Sequence, residues 1–364
     1  MTFSNRRAAS WLFLALLLVL CASACGARTR TVQGDTPLDV LRKRAHKALN
    51  DPAIWSELAI AEHLGDGGDP QAGRESLIHA KKLGANSLRL LYVEAEEYVL
   101  EGHPEQAFTT FSELLKRTVA DPDPLAPLLA EAALGALGDM NDAVVDYRPR
   151  MRALLGELAP QAERLGLAAA HQLRMLLLGY ALQAGDLKAA EAVAHDAGCV
   201  QKAEVAGPFG PRELLGFDQV FPAETQGPFA KSYDLGPGRG DTPTRKLDTR
   251  RCVLGVGRGA HDPRPGTSYV RSELEVAKGG SHVLRLESPN SVIVWLDGRE
   301  IARFDLRAQP SFGVRFIPLE LTAGKHELRL KLSSRHPNPV VSLSLVEGTK
   351  ENIADVGLPE PVDA

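Results

Sequence analysis

The chain has 364 residues, with 42 Lys and Arg against 46 Asp and Glu and a formal net charge of −4. After the N-terminal 25 residues, 26–204 carries 19 cations and 26 anions (net −7) and 205–364 carries 21 and 20 (net +1). Neither part has the concentrated cationic face that nucleic acid demands, and an aromatic content of 5% is too low for a base-stacking platform.

The N-terminus reads as an address. Arg6 and Arg7 precede an apolar run from Trp11 to Leu20, followed by Ala22, Ser23, Ala24, Cys25 and Gly26, the order of a basic region, a hydrophobic region and a small-residue cut site. This segment resembles a bacterial lipoprotein signal peptide with its lipobox, although the usual leucine three residues before the cysteine is Ala22. The resemblance implies a signal peptide over 1–24, a diacylglycerol and a further acyl chain (palmitate) on Cys25, and a flexible lipidated tether over 25–36. Ordinary secretion with an incidental Cys25 is the competing reading. An uncleaved anchor fits less well, because 8–24 is interrupted by Ser10, Cys21 and Ser23 and falls short of a span of roughly 20 residues. Gly26 after the cysteine, under the sorting rule of some bacterial lipoproteins, implies the outer membrane, on its periplasmic or surface face.

Ordered structure is expected from Pro37, where Leu38, Leu41, Ala45, Ala48 and Leu49 recur at helical spacing. Alanine- and leucine-rich segments then alternate with breaks at 65–70, 102–104, 121–127 and 185–186, the punctuation of a helical repeat. In 88–121, Leu91, Ala95, Tyr98, Gly102, Ala107, Phe111 and Leu114 take the large, small, aromatic, turn, small, aromatic and apolar positions of one repeat unit. Trp55, Leu58, Ala59, Leu77 and Ala80 suggest an earlier unit. Two degenerate units follow, the third with Pro149, which is expected to end or bend its second helix. The pattern resembles the tetratricopeptide repeat over 52–199, which implies an α-solenoid that binds a protein segment.

From Val205 the grammar changes to short β-branched runs between turns. Strands are expected at 269–276, 282–287, 291–296, 300–306, 313–319, 326–332 and 340–346, with Asp297-Gly298 as a hairpin signal. In 326–332 leucines alternate with charges, predicting one face on a core and the other in water. Together with 206–209, 216–218, 221–224 and 321–326, this half resembles the jelly-roll module that follows tetratricopeptide segments in bacterial exported proteins, similar to galactose-binding-like and carbohydrate-binding-like sandwiches. The fold class is therefore α + β multidomain: a helical domain over 37–200, a Pro/Gly-rich connecting segment and first part of the sandwich over 201–268, a sandwich core over 269–348 and a flexible tail over 349–364.

With Cys21 lost and Cys25 lipidated, Cys199 and Cys252 remain, either as a disulfide of an exported protein or as two separately buried thiols. Beside the hairpin, Trp295 is either a core side chain or an exposed indole for stacking on a sugar, with Asp297 and Arg299 as hydrogen-bonding partners. No zinc, nucleophile-elbow or Walker motif is present, and no catalytic residue, metal or cofactor is expected. Gly255–Gly259 reads as a loop, Asp66–Asp69 as a solvated turn, Arg239-Gly240-Asp241 as a chance tripeptide, and Arg245, Lys246, Arg250, Arg251 and Arg258 as a solvated basic face. The expected function is a non-catalytic envelope lipoprotein acting as a protein-interaction scaffold. The alternative is a glycan- or peptidoglycan-binding lipoprotein with the helices as a spacer, and an enzyme with an unfamiliar site is the remote third.

Overall fold

The computed structural model describes residues 38–348 apart from 66–67, 122, 211–212, 226, 237, 258–263 and 308–312. The signal peptide, Cys25, the tether and the tail lie outside the described residues, as do Asp66, Gly67, Arg258 and Gly259. Among the described residues the chain forms nine α-helices followed by twelve strands in three antiparallel sheets, an α + β two-domain architecture. Internal contacts divide it into two compact units, one running to Leu173 and the other starting at Arg174.

The first unit contains α1 (Leu38–Lys47), α2 (Pro52–Leu64), α3 (Pro70–Lys82), α4 (Leu88–Leu100), α5 (Pro104–Thr118), α6 (Ala126–Asp139), α7 (Tyr147–Leu158) and the start of α8 (Leu167–Gln183). Local chemistry sets the helix starts. Asp51 accepts from the amides of Ala53 and Ile54 ahead of Pro52, Asp69 from Gln71 ahead of Pro70, and Ser87 from Leu90, which satisfies first-turn N–H groups and places proline where no N–H is needed. Consecutive helices α2 and α3, and α4 and α5, pack as hairpins. Ala59, Ala80, Ala95 and Ala107 are fully buried, and their small side chains let the paired helices approach closely. Gly102 turns the chain between α4 and α5 at φ +75°, a conformation that costs glycine nothing.

Phe111 is buried, its ring 5.9 Å from Tyr92, whereas Tyr98 is half-buried with its hydroxyl 3.4 Å from Glu94. The Trp55 ring lies against His79 at 4.3 Å and His46 at 6.2 Å. Pro149 corrects the expectation for the third unit. It neither ends nor bends a helix but sits in the first turn of α7, where the missing N–H breaks no intrahelical bond.

The second unit contains the rest of α8, α9 (Leu187–Asp196) and the strands. These are β1 (Lys202–Phe209), β2 (Ser232–Asp234), β3 (Asp241–Pro243), β4 (Arg245–Asp248), β5 (Val253–Gly255), β6 (Gly266–Val276), β7 (Gly280–Ser288), β8 (Ser291–Leu296), β9 (Arg299–Phe304), β10 (Gly313–Leu321), β11 (Gly324–Ser334) and β12 (Val340–Glu347). A six-stranded sheet in the order β4-β1-β6-β11-β8-β9 faces a four-stranded sheet β10-β7-β12-β5, and β2 pairs with β3 alone. Between the two larger sheets lies one apolar core. Val270, Leu274, Val292, Val294, Leu328, Leu330 and Leu332 enter it from the first sheet, and Leu254, Leu284, Leu286, Ile317, Leu319, Val341 and Leu343 from the second. Each such side chain contributes roughly 1.5–3 kcal/mol of burial.

Cys199 and Cys252 form a disulfide in this unit. It joins the exit of α9 to the start of β5, and both ends dock on β12: Cys199 bridges to Ser344, and the Leu343 amide donates to the Cys252 carbonyl at 3.0 Å.

Candidate ligand-binding face

The side chains of β11 that alternate with its core leucines define the outer face of the six-stranded sheet. Sequence patterning assigns them to water, but Arg329 is only 3% exposed and Lys331 1%. The reason is the segment between β1 and β2, which folds back over this face. Its short 3₁₀ turn Glu213–Gly216 packs on β6 and β11, and Phe209, Phe221, Phe229 and Tyr233 cluster with Tyr269. Lys331 Nζ donates to the Gln219 carbonyl at 2.6 Å and to Glu224 Oε2 at 2.8 Å, and the Tyr269 hydroxyl also donates to Glu224. Arg329 donates to the carbonyls of Ala223 (3.1 Å) and Gly227, and to Glu327 Oε1 at 2.8 Å, with its guanidinium over the Phe229 ring. Burial, and then the Glu224 carboxylate, push the Tyr269 phenol well above its usual range. The buried cations are therefore fasteners for a polypeptide strap.

The strap covers part of the sheet, and cross-strand register defines the rest. Lys246, Glu204, Arg271, Arg329, Trp295 and Glu300 are successive partners across β4, β1, β6, β11, β8 and β9. Directly paired residues share a face, so all six form one transverse row on the outer side. Arg271 donates to Glu327 at 2.7 Å and Glu204 at 3.0 Å, and Arg303, one row along and opposite Ile293, makes two 2.8 Å bonds to Glu300. That bidentate pair holds Arg303 above its ordinary value. Trp295 stands in this row half-buried, between strap-clamped Arg329 on one strand and exposed Glu300 on the other.

The three residues that sequence proximity suggested as a site are thus separated by the fold. Asp297 and Gly298 both take positive φ, 50° and 79°, as a two-residue type I′ hairpin requires. The turn sets Leu296 opposite Arg299 and Trp295 opposite Glu300, so Arg299 shares the face of Leu296 and not that of Trp295. Asp297 is engaged within the protein. Its Oδ1 accepts from the Glu327 amide at 2.8 Å and its Oδ2 lies 2.6 Å from His326 Nδ1. His326 Nε2 lies 2.8 Å from the Thr322 carbonyl; with an acceptor at each nitrogen the ring is best satisfied as imidazolium. The Asp297 bond, followed by the Thr322 carbonyl, raises the His326 pKa. Glu300, the cross-strand partner of Trp295, was legible in principle from the Asp-Gly turn, since a two-residue loop fixes which residues face one another. Arg303 was not, because a register shift between Val294 and Trp295 brings it opposite Ile293 on the outer face, whereas an unshifted hairpin would set it opposite core-facing Val292.

Other motifs prove structural. Arg239 of the Arg-Gly-Asp tripeptide donates to the carbonyls of Gly210 and Pro208, each at 2.7 Å. Arg245 is half-buried and donates to the Val256 carbonyl at 2.8 Å, while Lys246, Arg250 and Arg251 are exposed. The helical unit holds an open cavity of about 180 Å³ lined by Lys81, Asn86, Leu90, Glu94, Thr110 and Glu113. Among the described residues no group of three or more His, Cys, Asp or Glu could hold a metal ion, and no helix is long and apolar enough to cross a membrane.

No protein-family model matches the chain, and no curated protein sequence does. Among solved structures it is similar to a β-glucosidase from Kluyveromyces marxianus (15% identity, TM-score 0.27, covering 34% of this chain and 17% of that one). It is also similar to a family 35 carbohydrate binding module from Clostridium thermocellum (15% identity, TM-score 0.19, 23% and 73%), and to the PA14 domain of an antifreeze protein, MpAFP (10% identity, TM-score 0.23, 40% and 80%). The chain spans less than a fifth of the β-glucosidase it matches, and at TM-scores this low none of the likenesses bears on what this chain binds.

Proposed function

We propose that the chain is a non-catalytic, lipid-anchored envelope protein that binds glycan on the outer face of its six-stranded sheet. The supporting observation is Trp295: a half-buried indole with the exposed Glu300 carboxylate and Arg303 guanidinium on the adjacent strand. An aromatic face with convergent polar groups is what a sugar ring needs, apolar C–H edges stacking while hydroxyls find donors and acceptors. The test is retention of the full chain on insoluble polysaccharides and peptidoglycan sacculi, compared with Trp295→Ala. Loss of retention with unchanged thermal melting supports the reading; equal retention by the variant, or none by the wild type, sinks it. The anchor is proposed at Cys25 and is tested by labelling with a palmitate analogue, which Cys25→Ser must abolish.

A second reading, a tetratricopeptide-like scaffold for a protein partner, is favoured by the 180 Å³ cavity between α3, α4 and α5, where exposed Glu113 would meet a basic side chain of the partner. Both readings can hold in one chain, the helical unit taking a protein and the sandwich a glycan. Glu113→Lys must then abolish co-purification of a stoichiometric protein partner from membranes while leaving polysaccharide retention intact.

A further inference from the structure

Charge matching around Trp295 narrows the class of glycan, on the premise that this face is the glycan site. Two guanidinium groups, Arg329 and Arg303, stand on the strands beside that of Trp295, and a third, Arg271, lies two strands away. Glu327 accepts from Arg329 at 2.8 Å and from Arg271 at 2.7 Å, Glu204 accepts from Arg271 at 3.0 Å, and Glu300 holds Arg303 twice at 2.8 Å. Three cations therefore face three carboxylates in these pairs, and beside Arg303 the cluster of Arg307 with Asp218 and Asp305 adds one net negative charge, so no excess of cation borders the indole. Asp297 and His326 add a balanced pair while the imidazole is charged and one negative charge once it is not. Arg299, the cation nearest in sequence, is on the opposite face, and Lys246, at the other end of the row, is four strands from Trp295.

We infer that the ligand is an uncharged pyranose chain and that anionic glycans are excluded. A carboxylated or sulfated sugar at Trp295 would meet guanidinium groups already neutralised by glutamates and would stand against those carboxylates, so it gains no net attraction to offset its own desolvation. A neutral sugar disturbs no ion pair. Its hydroxyls can donate to Glu300 and accept from the remaining N–H groups of exposed Arg303, while a C–H face covers the indole.

The experiment compares the full chain on neutral polymers (cellulose, chitin, amylose) and on anionic ones (polygalacturonate, alginate), at low and high salt. Retention on at least one neutral polymer is expected, insensitive to salt and falling about tenfold in Trp295→Ala, as loss of a stacked ring implies. Trp295→Phe, which keeps a ring in place, should retain most of it and covers the case in which the alanine variant fails to fold. Glu300→Gln, at an exposed position, removes the carboxylate that Arg303 binds directly and leaves it only the more distant Asp218 and Glu224, and should raise retention on polygalacturonate several-fold at low salt only. Salt-sensitive, Trp295-dependent retention confined to the anionic polymers would overturn this inference and leave the glycan reading standing. Absence of retention on every polymer, or retention that ignores Trp295, would overturn both.

Discussion

Replacing Lys331 by methionine tests whether the strap is fastened by buried charge. The ammonium, 1% exposed, donates at 2.6 Å to Gln219 and at 2.8 Å to Glu224. Methionine keeps the apolar stem but strands the Glu224 carboxylate, with the Tyr269 hydroxyl as its remaining donor among these contacts, and the Gln219 carbonyl. Breaking a buried ion pair on one side costs about 3–5 kcal/mol. The Glu224 side chain is 19% exposed, so water recovers part of its solvation and the lower end, about 3 kcal/mol, is expected. Urea unfolding followed by circular dichroism reads the global loss, and amide exchange at Glu224, whose N–H donates to Phe221 at 2.9 Å, reads release of the strap. The double variant Lys331→Met/Glu224→Gln removes both charges and should recover on the order of 1–2 kcal/mol relative to the sum of the single losses. If Lys331→Met costs below about 1 kcal/mol and leaves Glu224 exchange unchanged, the ammonium is solvated and the strap is held by its aromatic cluster alone.

The remaining predictions concern the edges of the same unit. The disulfide closes a separation of 53 residues, for which the chain-entropy relation gives about 4 kcal/mol; Cys199→Ser/Cys252→Ser should lose most of this in urea titration, and a loss below about 1 kcal/mol would show that docking on β12 suffices without the bond. His326 has a folded pKa raised above its ordinary 6.5, so its contribution is fully present below about 6.5 and fades as pH rises through the folded value. His326→Gln should therefore melt below the wild type at mildly acidic pH, with the gap closing in alkali. A gap that widens with pH would contradict an imidazolium held between Asp297 and Thr322.

How much of this was readable before folding depends on whether the deciding signal is local. The helix starts were, because Asp51 before Pro52, Asp69 before Pro70 and the breaks at 102–104 and 185–186 act within one turn. The strands at 269–346 were, because alternation has period two, and β11 shows it directly. The fate of the charged face of β11 was not, since what covers Arg329 and Lys331 comes from residues more than one hundred positions earlier. A Lys-Leu-Arg alternation reads identically whether water or a strap lies above it. The site at Trp295 falls between these cases. Sequence proximity groups Trp295 with Asp297 and Arg299, and spacing by two would keep them on one face of a continuous strand, yet the two-residue turn sets Arg299 opposite Leu296 and so on the other face. The Asp-Gly signal therefore carries both the hairpin and the partner of Trp295, which is Glu300. The Arg303 clamp needs one thing more, the register shift between Val294 and Trp295 that turns Arg303 to the outer face beside Glu300, and from the two together follows the expectation that Glu300→Gln, not Asp297→Asn, alters which glycans are retained.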